Sequence, residues 1–232
     1  MLPWAFTGAD TVPVMREHYH DELQAISDQL VEMAHLVGSA IARATTALLD
    51  GDLELAESVI AADEHIDAVQ ADLEDRAQAV LARQQPVATD LRVIIAGLRM
   101  SADLERMGDL ARHVAKLARM RYPASPVPPE LRATVLQMGQ VAERIVAKTG
   151  SVIAGRDLAL AGELETDDDA MDALHRTLFA VLLDDHWSHG IEAAIDITLC
   201  GRYYERFADH AVSVARRVVY LVTGERTRPT GG

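Results

Sequence analysis

Apolar residues recur every three to four positions over long stretches of the chain, and Gly and Pro break the pattern at a few points. The spacing predicts a first helix from about Arg16 to Asp50, stopped by Gly51, and a second from about Asp52 to Arg83, ended before Pro86. A third covers about Pro86 to Arg121 and meets the proline-rich stretch Tyr122–Pro129. Three more follow, over about Glu130–Ala154, Asp157–Asp185 and Ile191–Thr223. Residues 1–14 hold Pro3, Gly8 and Pro13 without periodicity and read as a disordered or vector-derived extension, with Met15 opening the folded part. Residues 225–232 read as a flexible tail. The expected fold is all-α: two tandem three-helix bundles, 15–121 and 130–224, joined by a linker over 122–129.

The two groups of three helices look like an internal duplication, and direct alignment supports this. Asp103-Leu-Glu-Arg-Met-Gly-Asp109 lines up with Tyr203-Tyr-Glu-Arg-Phe-Ala-Asp209, and six of thirteen positions from Leu104 to Lys116 recur one hundred residues later. Asp52-Leu53 matches Asp157-Leu158, Asp63 matches Asp168, and Asp67 matches Asp172, at an offset of 105.

In heptad steps the third helix reads Leu91, Ile95, Leu98, Ala102, Glu105, Asp109, a seam that starts apolar and turns acidic. The sixth reads Ile191, Ile195, Thr198, Arg202, Glu205, Asp209. The second and fifth do likewise through Asp63 and Asp67, and through Asp168 and Asp172. An antiparallel turn near Pro86 sets Asp63 level with Asp109 and Asp67 level with Glu105. A turn near Ser188 sets Asp168 level with Asp209 and Asp172 level with Glu205. Each repeat is therefore expected to gather four carboxylates. Mutual repulsion then calls for raised pKa values or bound cations, and carboxylate oxygens suit Mg²⁺, Mn²⁺, Ca²⁺ or iron.

Composition narrows the field. A net charge of −14 repels a phosphate backbone and argues against nucleic-acid binding. Aromatics at 4% and abundant Ala and Leu favour helix over strand. Cys200 is the only cysteine, which excludes an internal disulfide, and off the acidic seam it reads as a small buried residue. No apolar run approaches the ~20 residues of a membrane span, and no secretory signal opens the chain, so the expected location is cytoplasmic.

Arg106 and Arg206 are expected to pair with neighbouring carboxylates, and His113, one turn beyond Asp109, is a further candidate ligand. His210 points away from the seam, and His186 and His189 sit in a turn without an assigned role. Glu17-x-x-His20 and Glu32-x-x-His35 resemble the di-iron bundle motif, but both fall on the first helix, whereas that motif needs two. A ferritin-like carboxylate-bridged metal oxidase is the rival reading, and the absence of that motif on two separate helices argues against it. No nucleophile triad, phosphate loop or dinucleotide fingerprint is present.

The segments Asp103–Lys116 and Arg202–Ala211 resemble the two signatures of the PhoU family, and the resemblance spans Met15 to Thr223, including Arg16–Leu23 and Asp90-Leu-Arg92. His113 stands where that family usually has Asn. The resemblance implies two three-helix bundles side by side. It also implies metal clusters, with ions such as iron, manganese, magnesium or zinc, on Asp63, Asp67, Glu105, Asp109, Asp168, Asp172, Glu205 and Asp209. It further implies a non-enzymatic, cytoplasmic negative regulator of the phosphate-starvation response. Such a protein links the ATPase of a phosphate ABC transporter to a sensor histidine kinase, associates peripherally with that membrane complex and self-associates as a homodimer.

Overall fold

The structure is a computed structural model and describes residues 11–84 and 86–225. Six α-helices run as α1 (Thr11–Asp50), α2 (Leu53–Gln84), α3 (Thr89–Arg121), α4 (Arg132–Gly155), α5 (Leu158–Leu182) and α6 (Gly190–Thr223), with a short 3₁₀ turn at Pro129–Leu131. No strand occurs among the described residues, as the 3.6-residue period predicts.

The junctions follow local chemistry and repeat with the duplication. Gly51 adopts φ 65°, a left-handed conformation that ends α1, and Asp52 Oδ1 then accepts from the Leu55 amide at 2.9 Å to start α2. At the equivalent point of the second repeat, Asp157 Oδ1 accepts from the amides of Ala159 and Leu160 and caps α5. Residues 11–14, expected to precede the fold, form the first turn of α1. Pro13 falls in this turn, where proline is tolerated because its missing N–H has no intrahelical partner to lose. Residues 1–10 and 226–232 of the expected extension and tail lie outside the described residues. The stretch 122–129 is seated on the protein: Pro126, Val127 and Pro128 are buried, and Ser125 Oγ donates to Leu48 O at 3.0 Å.

α2 packs on α1 and α3, α5 packs on α4 and α6, and the two bundles meet along α1 against α4 and α3 against α6. One continuous core results, built from residues such as Met33, Val37 and Ile41 of α1, Met138 and Ile145 of α4, and Leu104 and Phe207. The α1/α4 approach depends on absent side chains: a Cβ at Gly139 would stand 2.5 Å from Thr45 Cγ2, and one at Gly38 would stand 3.3 Å from Val146 Cγ1. Thr45 also bonds the Tyr204 hydroxyl at 2.7 Å in the buried interface, tying the first repeat to the second.

The heptad seams of α3 and α6 run beside the buried stripes rather than along them. On α3 the buried stripe runs Ile94, Gly97, Ser101, Leu104, Gly108, Ala111, while Ile95 and Ala102 of the predicted seam are exposed. On α6 the stripe runs Ile197, Cys200, Tyr204, Phe207, Ala211, while Ile195 and Arg202 are exposed. These helices touch neighbours on more than one side, so the apolar face is broader than an a/d line, and the acidic seam follows its edge. That edge placement leaves Glu105 and Asp109 of α3 and Glu205 of α6 partly covered rather than fully buried.

Candidate functional site

In the first repeat, Asp63 of α2 is buried to 3% exposure beneath α3. Gly108 makes room for it, since a Cβ there would lie 3.3 Å from Asp63 Oδ1 and 3.0 Å from Ile66 Cδ1. Burial pushes the Asp63 carboxyl up; Arg112 opposes the rise, and Asp67 and Asp109 add to it. Glu105 is raised chiefly by burial and then by Asp109, with Asp67 contributing, while Arg106 opposes. The helices thus bring Asp63, Asp67, Glu105 and Asp109 into one electrostatic group, in the register expected from the turn near Pro86.

Arg112 lies inside this group. Its Nη1 stands 2.5 Å from Asp63 Oδ2, and its Nη2 donates to Asp109 Oδ1. The Asp63 contact is an ion pair rather than an aligned hydrogen bond, so Asp63 Oδ2 remains a buried oxygen without a hydrogen-bond partner. Arg106 Nη1 donates to Asp109 Oδ2 at 3.1 Å, which realises one of the two expected arginine pairings.

The second repeat gathers Asp168, Asp172, Glu205 and Asp209 in the same way. Asp168 is raised to about 6, first by burial and then by Asp209, Asp172 and Asp169. Burial, Asp209 and Asp172 raise Glu205. The guanidinium of the first quartet has no counterpart here, because Val212 occupies the position equivalent to Arg112. Arg202, rather than the expected Arg206, engages a quartet member, its Nη1 donating to both oxygens of Glu205 at 2.5 Å.

As the side chains stand, no group of three or more His, Cys, Asp or Glu among the described residues is arranged to hold a metal ion. The donors nonetheless fit a hard cation in kind and charge. Each quartet is carboxylate oxygen, one buried oxygen of the first lacks a hydrogen bond, and in the second burial and the neighbouring acids raise Asp168 although Arg216 opposes the rise. His113, the fifth candidate, stacks on Tyr203 at a centroid distance of 5.2 Å, and its buried Nδ1 has no hydrogen-bond partner. Burial lowers its pKa, so it is neutral near pH 7.

Several functional-looking groups turn out to be structural. Cys200 is fully buried, and burial pushes its thiol up to about 12, which leaves it inert. Glu32 and His35 are exposed on α1, while the coupled carboxylates belong to α2, α3, α5 and α6; the side chains of Glu17 and His20 are outside those described. His189 Nε2 contacts Glu130 Oε1 at 2.5 Å across the linker.

Pattern reading missed Asp103. This buried carboxylate of α3 accepts from His210 Nδ1 at 3.0 Å, Ser213 Oγ at 3.1 Å and Arg217 Nε at 2.9 Å, all on α6. Burial would raise its pKa, but the bonds from His210 and Arg217 outweigh burial and hold it low. At the other end of the same contact, Arg121 Nε donates to Asp196 Oδ2 at 2.6 Å. Its sequence signal was an acidic residue on the core side of the stripe.

Fold and site together define a class: duplicated helical-bundle proteins that carry a carboxylate quartet at the edge of each repeat. The sequence profile of the PhoU domain matches the chain twice, over residues 30–118 and 135–218. The chain belongs to the PhoU family. It is 49% identical over 210 residues to the phosphate-specific transport system accessory protein PhoU homolog 2 of Mycobacterium tuberculosis, an alignment covering 90% of this chain and 99% of that one. The homolog 1 protein of Mycobacterium leprae is also 49% identical, with 90% and 95% covered. The crystal structure of PhoU from Pseudomonas aeruginosa superposes with a TM-score of 0.80 at 30% identity, covering 89% of this chain and all of that one. The phosphate transport system regulatory protein PhoU from Streptococcus pneumoniae gives 0.79 at 27% identity, with 90% and 99% covered.

Proposed function

We propose that this chain is a regulatory accessory protein of phosphate transport that binds metal ions through its two carboxylate quartets and represses the phosphate-starvation response without catalysing a reaction. The observation that carries the reading is the doubled quartet, four carboxylates at equivalent positions of two repeats, in which burial and the neighbouring acids raise Asp63 and Glu105 in the first and Asp168 and Glu205 in the second. The relatives' names, phosphate-specific transport system accessory protein and phosphate transport system regulatory protein, supply the process.

Asp63, Asp67, Glu105 and Asp109 would hold a cation in the first repeat, and Asp168, Asp172, Glu205 and Asp209 in the second. A bound ion supplies charge neutralisation there, not a reaction. Iron, manganese, magnesium and zinc are the candidate ions. The quartets lie on the outer edge of the helices, where a partner can read whether they are filled. The partners in this reading are a transporter ATPase and a sensor histidine kinase, with the chain as a peripheral adaptor that can pair with a second copy. No described helix is long and apolar enough to cross a membrane, which supports peripheral rather than integral attachment. The charge of −14 argues against nucleic acid as the target.

The test is secreted phosphatase activity in a strain lacking the gene and grown with abundant phosphate. Mycobacterium tuberculosis carries both a homolog 1 and a homolog 2, so a second copy in the host is deleted as well. High activity, silenced by the wild-type gene and not by one with all eight carboxylates changed to Asn or Gln, is expected. Normal activity in the strain lacking both copies would overturn the regulatory reading. Full silencing by the eightfold variant would overturn the role of the quartets.

A further inference from the structure

A second feature lies between the two acidic groups, where α3 and α6 pass each other. The duplication brings Arg106 and its equivalent Arg206 to one cleft of about 450 Å³, and Arg202 joins them. His113, His210 and Asp109 complete the polar lining. In a chain of net charge −14, this cleft sets three guanidinium groups against one carboxylate.

Arginine presents five N–H donors in a planar fork. Arg106 gives Nη1 to Asp109 and sets Nε 3.9 Å from Glu105, Arg202 gives one nitrogen to Glu205, and Arg206 makes no ion pair among the described residues. Donors therefore remain on all three. Guanidinium forks match tetrahedral oxyanions in geometry as well as charge. The cleft is walled on one side by the His113–Tyr203 stack.

Asp109 decides which oxyanion fits. Its oxygens already accept from Arg106 and Arg112, yet a carboxylate has about four lone-pair sites, so it can accept again. Hydrogen phosphate can donate its own proton to such an oxygen, whereas sulfate at neutral pH has no proton to give and is repelled. We propose that the cleft binds inorganic phosphate, its oxygens on Arg106, Arg202 and Arg206 and its O–H donated to Asp109. The site goes beyond the regulatory reading, which requires no direct phosphate contact, and would let the chain respond to the ion whose transport its relatives serve.

Isothermal titration calorimetry of the full chain with sodium phosphate, in buffer stripped of divalent metals, tests this independently of any signalling readout. Stripping the metals prevents a cation in a quartet from capturing phosphate itself. One phosphate per chain is expected, with sulfate binding at least about tenfold more weakly at equal ionic strength. Arg206→Gln removes a guanidinium with no carboxylate partner to orphan, so the fold is undisturbed, and affinity should fall at least about tenfold, as for loss of a charge-assisted pair. Arg176→Gln on α5, outside the cleft, should bind like wild type. Absence of phosphate binding, an unchanged affinity in Arg206→Gln, or sulfate binding as tightly as phosphate would each overturn the proposal.

Discussion

Replacing Asp103 by Asn tests whether the two repeats are clasped by one buried carboxylate. The change keeps the volume and one acceptor oxygen. It removes the negative charge and places an NH₂ group among the Ser213 and Arg217 groups that now point at Oδ2. The Arg217 guanidinium, partly covered at 29% side-chain exposure, then loses its charged partner. Removing one member of a largely buried, charge-assisted network costs about 2–4 kcal/mol. For a domain of this size about 1 kcal/mol shifts the midpoint by about 2–4 °C, so Tm should fall by about 5–15 °C. Circular dichroism at 222 nm during urea and thermal unfolding reads both quantities.

The pH dependence adds a second signature of the same clasp. Asp103 is held below its ordinary value of 3.8 in the folded chain. A carboxylate depressed by folding contributes its full stability above the unfolded pKa and loses it as pH falls through the folded one. Wild type should therefore lose this contribution below about pH 4, while Asp103→Asn, already without it, should show a shallower acid limb. A loss under about 0.5 kcal/mol at pH 7, within the range of ordinary surface changes, would refute the clasp.

Asp168 carries the opposite sign. Raised to about 6 in the folded chain, it stabilises fully below 3.8 and loses that contribution as pH rises through about 6. Metal-free Asp168→Asn should therefore be more stable than wild type at pH 7.5, by about 1–2 kcal/mol after allowing for partial solvent screening, and the gap should close near pH 4 in urea titrations. Gly139→Ala should cost about 1–3 kcal/mol, because the new methyl meets Thr45 across the α1/α4 contact; differential scanning calorimetry would show the drop. The accompanying Thr45→Ala change should recover part of that loss.

Much of this molecule was legible because the chain repeats itself. A motif such as Glu105-x-x-x-Asp109 is ambiguous once, but its return as Glu205-x-x-x-Asp209, with Asp63/Asp67 and Asp168/Asp172 at a fixed offset, identified both the duplication and the quartets. The helix starts at Asp52 and Asp157 were legible for the same reason. Facing was not, since the broad apolar stripes of α3 and α6 admit several heptad frames, and the one through Ile95 and Ile195 tracks the solvent edge. The Asp103 clasp was invisible because its partners lie more than one hundred residues away and its repeat equivalent is Tyr203. Arg112 was passed over for Arg106, although only Arg112 reaches the buried Asp63. Val212 in its place is the difference that makes the two quartets unequal.

The most direct test of the account is the metal content of the chain purified without chelators, measured by inductively coupled plasma mass spectrometry beside the Asp168→Asn/Asp209→Asn variant. The account predicts stoichiometric metal in wild type and a loss confined to the second repeat's share in the variant, with helicity retained. Metal-free wild type under metal-replete growth, or a variant holding as much metal as wild type, would contradict it.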